Sequence, residues 1–383
     1  MRIALVSNFL PASGRGGAER YAGALATALA QRGHEVAFWT GDEGRLDGVD
    51  CGRLPAMAEL GAGWGRPRKG LWHLREQWLP RVHRALRQRL DEFKPDVVHS
   101  HEPQLLSAAV FTAIAAADVP HVHTAHDFNL LCMRTTMSTS SGGPCGGRCL
   151  DCRLQRRVRR AAIRRRLDLL IAPSDFVRRR HLAYGVVDAP RALTIRHGAE
   201  PGRRRVRQPR AGALRLGFLG SLAPHKGVRT LLRVAEEMPA GWRLGIAGDG
   251  PLAAEVRAAA DRDPRIDCRG EVDAAGRDAF LDGLDLIVIP SEWEEPATLV
   301  AVEAAVRGLP AVVSNRGGLP EGPRLGFVPS GDPAALLSLL SQLDSTPEVV
   351  ASCSRTLLEE GEKYSWVTHV AAVEASLLEA ARG

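Results

Sequence analysis

Lysine is almost missing from this chain: of 51 basic residues only Lys69, Lys94, Lys226 and Lys363 are lysines, which leaves 47 arginines. Such a skew follows a coding bias, so a single arginine carries little functional meaning and a retained lysine carries more. Aromatic residues are 5% of the chain, and none interleaves with its most arginine-rich run, which argues against a nucleic-acid surface built on base stacking. Seven cysteines in 383 residues are too few for a disulfide scaffold. No uncharged apolar run approaches the ~20 residues of a membrane-spanning helix. The opening Met1–Val6 meets polar Ser7 and Asn8 at once, too short for the apolar region of a signal peptide. These absences lead to the expectation of a soluble, cytoplasmic protein.

What is present is ordinary for a globular chain, with 45% hydrophobic and 25% charged residues over a length that favours two domains. The net charge of +7 is regional. Arg148–Arg210 holds 19 arginines and five acidic residues, a local balance of +14 that leaves −7 for the rest.

Arg2–Val6 reads as a buried parallel strand, followed by Gly14-Arg15-Gly16-Gly17 and a helix over Ala18–Arg32 stopped by Gly33. Glu35–Trp39 is the next strand, and Asp96–His99, His121–Thr124 and Asp168–Ala172 follow, with a helical stretch at Gln104–Ala117. Pro201–Gly212, rich in Arg, Pro and Gly, reads as a linker. After it the alternation restarts: strands at Leu214–Leu219, Trp242–Ala247, Arg265–Cys268, Leu284–Ile289 and Ala311–Ser314, helices at Val228–Glu237, Leu252–Ala260 and Thr298–Arg307. The expectation is α/β, two doubly wound Rossmann-like domains in series. Ligands then sit outside the carboxyl ends of the strands, in a cleft between facing domains.

Two constellations have the chemistry of anion and sugar binding. The Gly14–Gly17 cluster lies between a strand and a helix start, where backbone amides can meet a diphosphate, although a turn without ligand fits it equally and it lacks the dinucleotide spacing G-x-G-x-x-G. At the end of the Leu284–Ile289 strand stands Pro290-Ser291-Glu292-Trp293-Glu294-Glu295-Pro296-Ala297-Thr298-Leu299. Glu295 and Glu303 are eight residues apart across a helix start; spacing alone also fits carboxylates that merely complement the helix dipole.

The chain resembles the family 4 retaining glycosyltransferases of GT-B fold. Glu295 and Glu303 match their E-x7-E, and the likeness continues through Glu303-Ala304, Gly308, Pro310 and Gly317-Gly318-Leu319-Pro320-Glu321. Gly220-Ser221-Leu222-Ala223-Pro224-His225-Lys226-Gly227 is similar to G-R-L-x-x-x-K-G; Gly248-Asp249-Gly250-Pro251 and Gly270-Glu271-Val272 fall at the family's G-x-G-P turn and base-contacting loop. Gly16-Gly17-Ala18-Glu19-Arg20 resembles the opening G-G-A-E-R, and Thr124-Ala125-His126-Asp127 the H-D segment. The resemblance implies an acceptor domain over 1–205, a nucleotide-sugar domain over 206–365, and a C-terminal helix, about 366–383, that packs back on the first domain.

It further implies transfer of a sugar, with retention, from a nucleoside-diphosphate donor (UDP- or GDP-sugar) to an acceptor hydroxyl, without a catalytic metal. Lys226 would neutralise the diphosphate, Glu303 would accept from the ribose, and Glu295 would hold sugar hydroxyls. Amides of Thr298 and Leu299 would meet the phosphates together with Gly16 and Gly17, while the Ser221 and Gly250 loops and the Val272 backbone would complete the donor site. His126 would lie beside the reacting sugar. Two departures stand out: Ser221 replaces the family's arginine, and Ala297-Thr298 replaces its Phe-Gly, which puts the shape of the sugar pocket in question. The acceptor would be sugar-containing or lipid-linked. The alternatives are a nucleotide-sugar-binding or membrane-docking protein without transfer activity, and a GT-B disaccharide synthase or phosphorylase.

Cys132, Cys145, Cys149 and Cys152 form C-x12-C-x3-C-x2-C, which suits a structural zinc site; reduced thiols or a disulfide pair are the alternatives. Cys51, Cys268 and Cys353 read as isolated thiols. Asp261-Arg262-Asp263 reads as a solvated turn. In the run Arg153–Arg166, an apolar stripe of Leu154, Val158, Ala161, Ala162 and Ile163 predicts a basic helix, either a solvated face or a peripheral contact with an anionic membrane or acceptor.

Overall fold

Short runs of aliphatic residues free of polar interruption become strands shielded on both faces: Ile3–Val6 and Leu286–Ile287 have no exposed surface at all. The computed structural model describes residues 1–11, 17–58, 64–139, 145, 150–209 and 212–383. The described residues of Met1–Met137, Cys145–Ile195 and Val370–Gly383 form one compact unit, and those of Arg196–His369 a second.

The first unit runs β1 (Arg2–Val6), α1 (Gly17–Gln31), β2 (Glu35–Thr40), β3 (Asp50–Arg53), α2 (Arg66–Gln77), α3 (Pro80–Phe93), β4 (Val97–Ser100), α4 (Ala109–Ala117), β5 (His121–Thr124), α5 (Leu150–Ile163), β6 (Leu169–Ala172), α6 (Asp175–Ala183) and β7 (Ala192–Thr194). The strands form one sheet in the order β3-β2-β1-β4-β5-β6-β7. Every pairing is parallel, with Ile3 opposite Val36 on one side and Val97 on the other. Trp39 and Leu54 pack under α3 and α4 with Val82, Leu86 and Leu106.

The second unit runs β8 (Arg215–Leu219), α7 (Val228–Glu237), β9 (Arg243–Ala247), α8 (Ala253–Arg262), β10 (Ile266–Gly270), α9 (Ala274–Gly283), β11 (Leu286–Ile289), α10 (Leu299–Ala305), β12 (Ala311–Ser314), β13 (Gly326–Val328), α11 (Pro333–Ser345) and α12 (Pro347–Glu359). A last helix, α13 (Trp366–Arg382), belongs to the first unit from Val370 onward, where Glu374 pairs with His34 at 2.7 Å. The second sheet is also wholly parallel, in the order β10-β9-β8-β11-β12-β13. Its core gathers Trp242, Leu216, Leu231 and Val256. In both sheets the strand order reverses beside the first strand, at β1/β4 and β8/β11, which is where such folds open a crevice at the strands' carboxyl ends.

Several expectations shift. The helix expected from Gln104 begins only at Ala109, because Ser107 adopts φ 65°. Asp261 and Arg262 close α8 rather than forming a turn, and Asp263 binds Arg265 through Nη2 at 2.7 Å. The segment 201–209 has no regular structure but is anchored to the second unit: Arg207 is 1% exposed, its amide donates to Ser354 Oγ at 2.8 Å, and its guanidinium reaches the carbonyls of Asp282 and Leu284. Arg210 and Ala211 lie outside the described residues. The expected stripe on α5 is overturned: Leu154, Val158 and Ala161 are exposed, whereas Cys152, Gln155, Arg159, Ala162 and Ile163 face inward. The reason is a single ion pair, since Arg159 meets Glu76 of α2, both almost wholly buried.

Candidate active site

The second crevice is built from the two loops that leave β8 and β11. After β8 the chain crosses Gly220–Leu222, where the Leu222 amide donates to the Asp249 carbonyl at 2.8 Å and ties this loop to the Gly248–Gly250 turn. It then makes a short 3-10 turn at Pro224–Lys226 and enters α7 through Gly227. Gly227 has φ 75°, and a Cβ there would fall 1.9 Å from the Pro290 carbonyl oxygen, so only glycine lets this turn press on the end of β11. That contact sets Lys226 facing the β11 loop.

Lys226 Nζ lies 2.8 Å from Glu295 Oε1 and 2.9 Å from Oε2, and 5.1 Å above the centre of the Trp293 ring. Ser291 Oγ donates to Glu295 Oε2 at 2.9 Å, and Trp293 Nε1 donates to the same oxygen at 2.6 Å. Oε2 is therefore saturated, while Oε1 keeps a lone pair for one further donor. The Glu295 backbone is also held: its carbonyl accepts from the Gly318 amide at 2.7 Å, and Gly317, at φ 59°, approaches so closely that a Cβ would fall 2.1 Å from that carbonyl oxygen. Glu292 accepts from Thr230 Oγ1 at 2.7 Å, which joins the loop to α7. Burial and the neighbouring Lys226 charge hold the His225 imidazole below its usual range, against the pull of Glu295.

Thr298 caps α10 without a side-chain hydrogen bond, so the first-turn amides have no cap of that kind. One turn on, Glu303 Oε1 is paired with Arg277 of α9, while its Oε2 is buried without a hydrogen-bond partner. Val272 is half-buried at the start of the same region and packs on the core cluster that includes Leu219 and Leu281. Ser221 is exposed and Gly250 half-buried.

The first unit carries its own cluster at the carboxyl ends of β4 and β5. His126 Nε2 is 3.0 Å from His101 Nδ1, with the Tyr21 ring edge-on to His126 at 4.8 Å between centres. Burial pushes the Asp127 carboxyl up to about 6, opposed by the Asn129 amide and Arg159 and reinforced by Glu19. Glu102 is driven well above the carboxylate range, first by burial and then by the Asp127 and Glu19 charges. Gly17 begins α1, half-buried. The rest of the glycine loop, Gly14, Arg15 and Gly16, lies outside the described residues.

Lys226 and Glu295 are thus brought into contact, Thr298, Leu299 and Glu303 follow on the α10 side of the same β11 connection, and His126 is set in a polar cluster of the other unit. Sequence reasoning missed Ser291, Trp293, Arg277, Tyr21, His101 and Glu102. Ser291 and Trp293 lie in the same short segment as Glu295, yet nothing in their order shows that both fold back on one oxygen. Among the cysteines, Cys132 is buried and Cys145 half-buried, both as free thiols, and Cys152 is buried. No three metal-binding side chains gather among the described residues, and Cys149 lies outside them, so a four-thiolate site is not assembled from what is described. Cys51, Cys268 and Cys353 are free thiols as well.

Crevices at the switch points of two parallel sheets, one bearing a lysine–carboxylate pair beside a helix start, define a GT-B protein of the glycosyltransferase class. Residues 15–203 match the profile of Glycosyltransferase Family 4, and residues 213–345 that of Glycosyl transferases group 1. The glycogen synthase of Mycobacterium tuberculosis is 29% identical over 348 residues, covering 84% of this chain and 80% of that protein. Sucrose-phosphate synthase from Thermosynechococcus elongatus superposes with a TM-score of 0.76 at 19% identity, over 99% and 98% of the two chains. Anabaena HepE, solved with UDP, gives 0.74 at 18% identity, over 99% and 100%. The chain belongs to the family 4 glycosyltransferases, and its activity is glycosyl transfer.

Proposed function

We propose that the chain is a retaining glycosyltransferase that takes its sugar from a nucleoside-diphosphate donor, a UDP- or GDP-sugar, in the building of a glycan, glycolipid or glycosylated natural product. The observation that carries this reading is Glu303: its Oε1 is engaged by Arg277 and its Oε2 is buried without a donor. Leaving a buried acceptor unmet costs about 1–3 kcal/mol, which a ribose hydroxyl would recover. HepE has also been solved in complex with UDP-glucose.

In this reading Lys226 turns its charge to the diphosphate while Glu295 keeps it in place, and Glu295 Oε1 takes a sugar hydroxyl with its remaining lone pair. The α10 amides, at Thr298 and Leu299, meet the same phosphates. The bond from the anomeric carbon to the diphosphate breaks as the acceptor oxygen bonds on the same face, and the acceptor proton passes to a phosphate oxygen. Negative charge grows on the leaving group, and Lys226 with the helix amides stabilises it without need of a metal.

The test is release of nucleoside diphosphate and the configuration of the product by NMR, with wild type, Lys226→Ala and Glu303→Ala. Each variant is expected to lose roughly 100-fold in turnover with the anomeric configuration retained in wild type. Unchanged turnover in both variants overturns the site assignment, and an inverted product overturns the mechanism.

A further inference from the structure

Among the described residues ten large hydrophobic side chains are exposed, and six of them, Leu71, Leu74, Trp78, Leu150, Leu154 and Val158, lie on α5 or on α2 and its C-cap. The two helices touch, and their inward faces explain how they are held. Glu76 is wholly buried and paired with Arg159, which is 2% exposed, while Trp72 Nε1 donates to the Ala58 carbonyl at 2.7 Å. The pair fixes each helix with one face inward and leaves the leucines outside. On those outer faces Arg68, Arg75, Arg153, Arg157 and Arg160 are exposed, against the single exposed acid Asp151. Leu150, Leu154 and Val158 recur every four residues, so they make one apolar line flanked by arginines.

We infer that the outer faces of α2 and α5 form a docking surface for an anionic lipid leaflet, with the leucines and Trp78 entering the interface and the arginines meeting lipid phosphates. Side chains this apolar cost water contact unless something covers them, and the charge around them selects a negative, apolar-cored surface. A second copy of the chain is a poor occupant, because an isologous contact would set these arginines against one another. The inference stands apart from the proposed transfer reaction, since it uses none of the residues assigned to it.

Flotation of the full-length protein with phosphatidylcholine vesicles, with and without about 30% phosphatidylglycerol, tests it with no donor or acceptor present. Binding is expected to the anionic vesicles alone and to weaken with salt. Arg153→Gln/Arg157→Gln should lower partitioning about 25-fold, roughly fivefold per arginine. Leu74→Ser/Leu154→Ser should lower it about tenfold or more. Both pairs replace exposed side chains, so circular dichroism and the thermal midpoint should match wild type. Equal flotation with neutral and anionic vesicles, wild-type binding by both variants, or a dimer in light scattering that the leucine variant disperses would each overturn the inference. Nucleotide-sugar binding measured on the same samples keeps this outcome separate from the fate of the transfer reading.

Discussion

Replacing Arg159 by methionine keeps an unbranched apolar stem and removes the cation opposite Glu76, a carboxylate with no exposed surface. Breaking a buried pair from one side leaves an uncompensated charge and costs about 3–5 kcal/mol. In a unit of this size each kcal/mol is worth about 2–4 °C in Tm, so the first unit should melt roughly 6–20 °C lower. Glu76→Leu/Arg159→Met removes both charges and should recover most of that loss. Acid should shrink the difference. Burial alone raises Glu76, but the His73 hydrogen bond, the Arg159 charge and the Gln104 hydrogen bond outweigh it and hold the carboxyl below its usual 4.5. A depressed carboxylate stabilises the fold above its unfolded pKa and loses that contribution as pH falls through the folded value. Scanning calorimetry with urea titrations at pH 7.5 and pH 3.5 measures both effects. An Arg159→Met variant within 1 kcal/mol of wild type at pH 7.5, or a double variant no more stable than the single, would refute the reasoning.

Four further outcomes follow from the geometry. Gly227→Ala sets a Cβ against the Pro290 carbonyl at φ 75°, so it should cost about 1–3 kcal/mol in denaturant unfolding and weaken donor binding through Lys226; full donor affinity would show that the turn does not place the lysine. Glu295→Gln removes the counter-ion from Lys226, and steady-state turnover should fall about tenfold or more with the circular dichroism unchanged. Burial pushes His121 and His181 down to about 4, so each stabilises the fold above pH 6.5 and loses that contribution toward pH 4, about 2 kcal/mol each at pH 5. Asp127, raised to about 6, works the other way, since its contribution is present below about 3.8 and lost as pH rises through 6. Asp127→Asn should therefore raise the melting temperature at pH 7.5 and leave it unchanged at pH 3.5.

The alternation of strand and helix was legible because parallel strands buried on both faces are mostly short aliphatic runs: Arg2–Val6 and Ala311–Ser314 stand where their sequence pattern places them. The edge strand β3, Asp-Cys-Gly-Arg, has no such run and is held by pairing with β2 alone. The helices α2 and α3 have no counterpart in the sequence reading, since their arginines and prolines blur the helical period. Arginine excess hid more than helices. Arg159, Arg207 and Arg277 are structural or site residues that a residue-by-residue reading takes for background, and only burial tells them from solvated neighbours. Lys226 was legible for the opposite reason, its rarity. Its partners Ser291 and Trp293 were not, because a saturated carboxylate oxygen is a fact of three dimensions.

The claim that the second unit holds a nucleotide sugar through Glu303 and Lys226 is tested most directly by calorimetric titration of UDP-, GDP- and ADP-sugars into wild type and the two alanine variants. The account predicts saturable binding of at least one UDP- or GDP-sugar by wild type, weakened about tenfold or more in both Glu303→Ala and Lys226→Ala, the size of a lost charge-assisted hydrogen bond. Binding of none of these donors, or equal affinity in all three proteins, would contradict it.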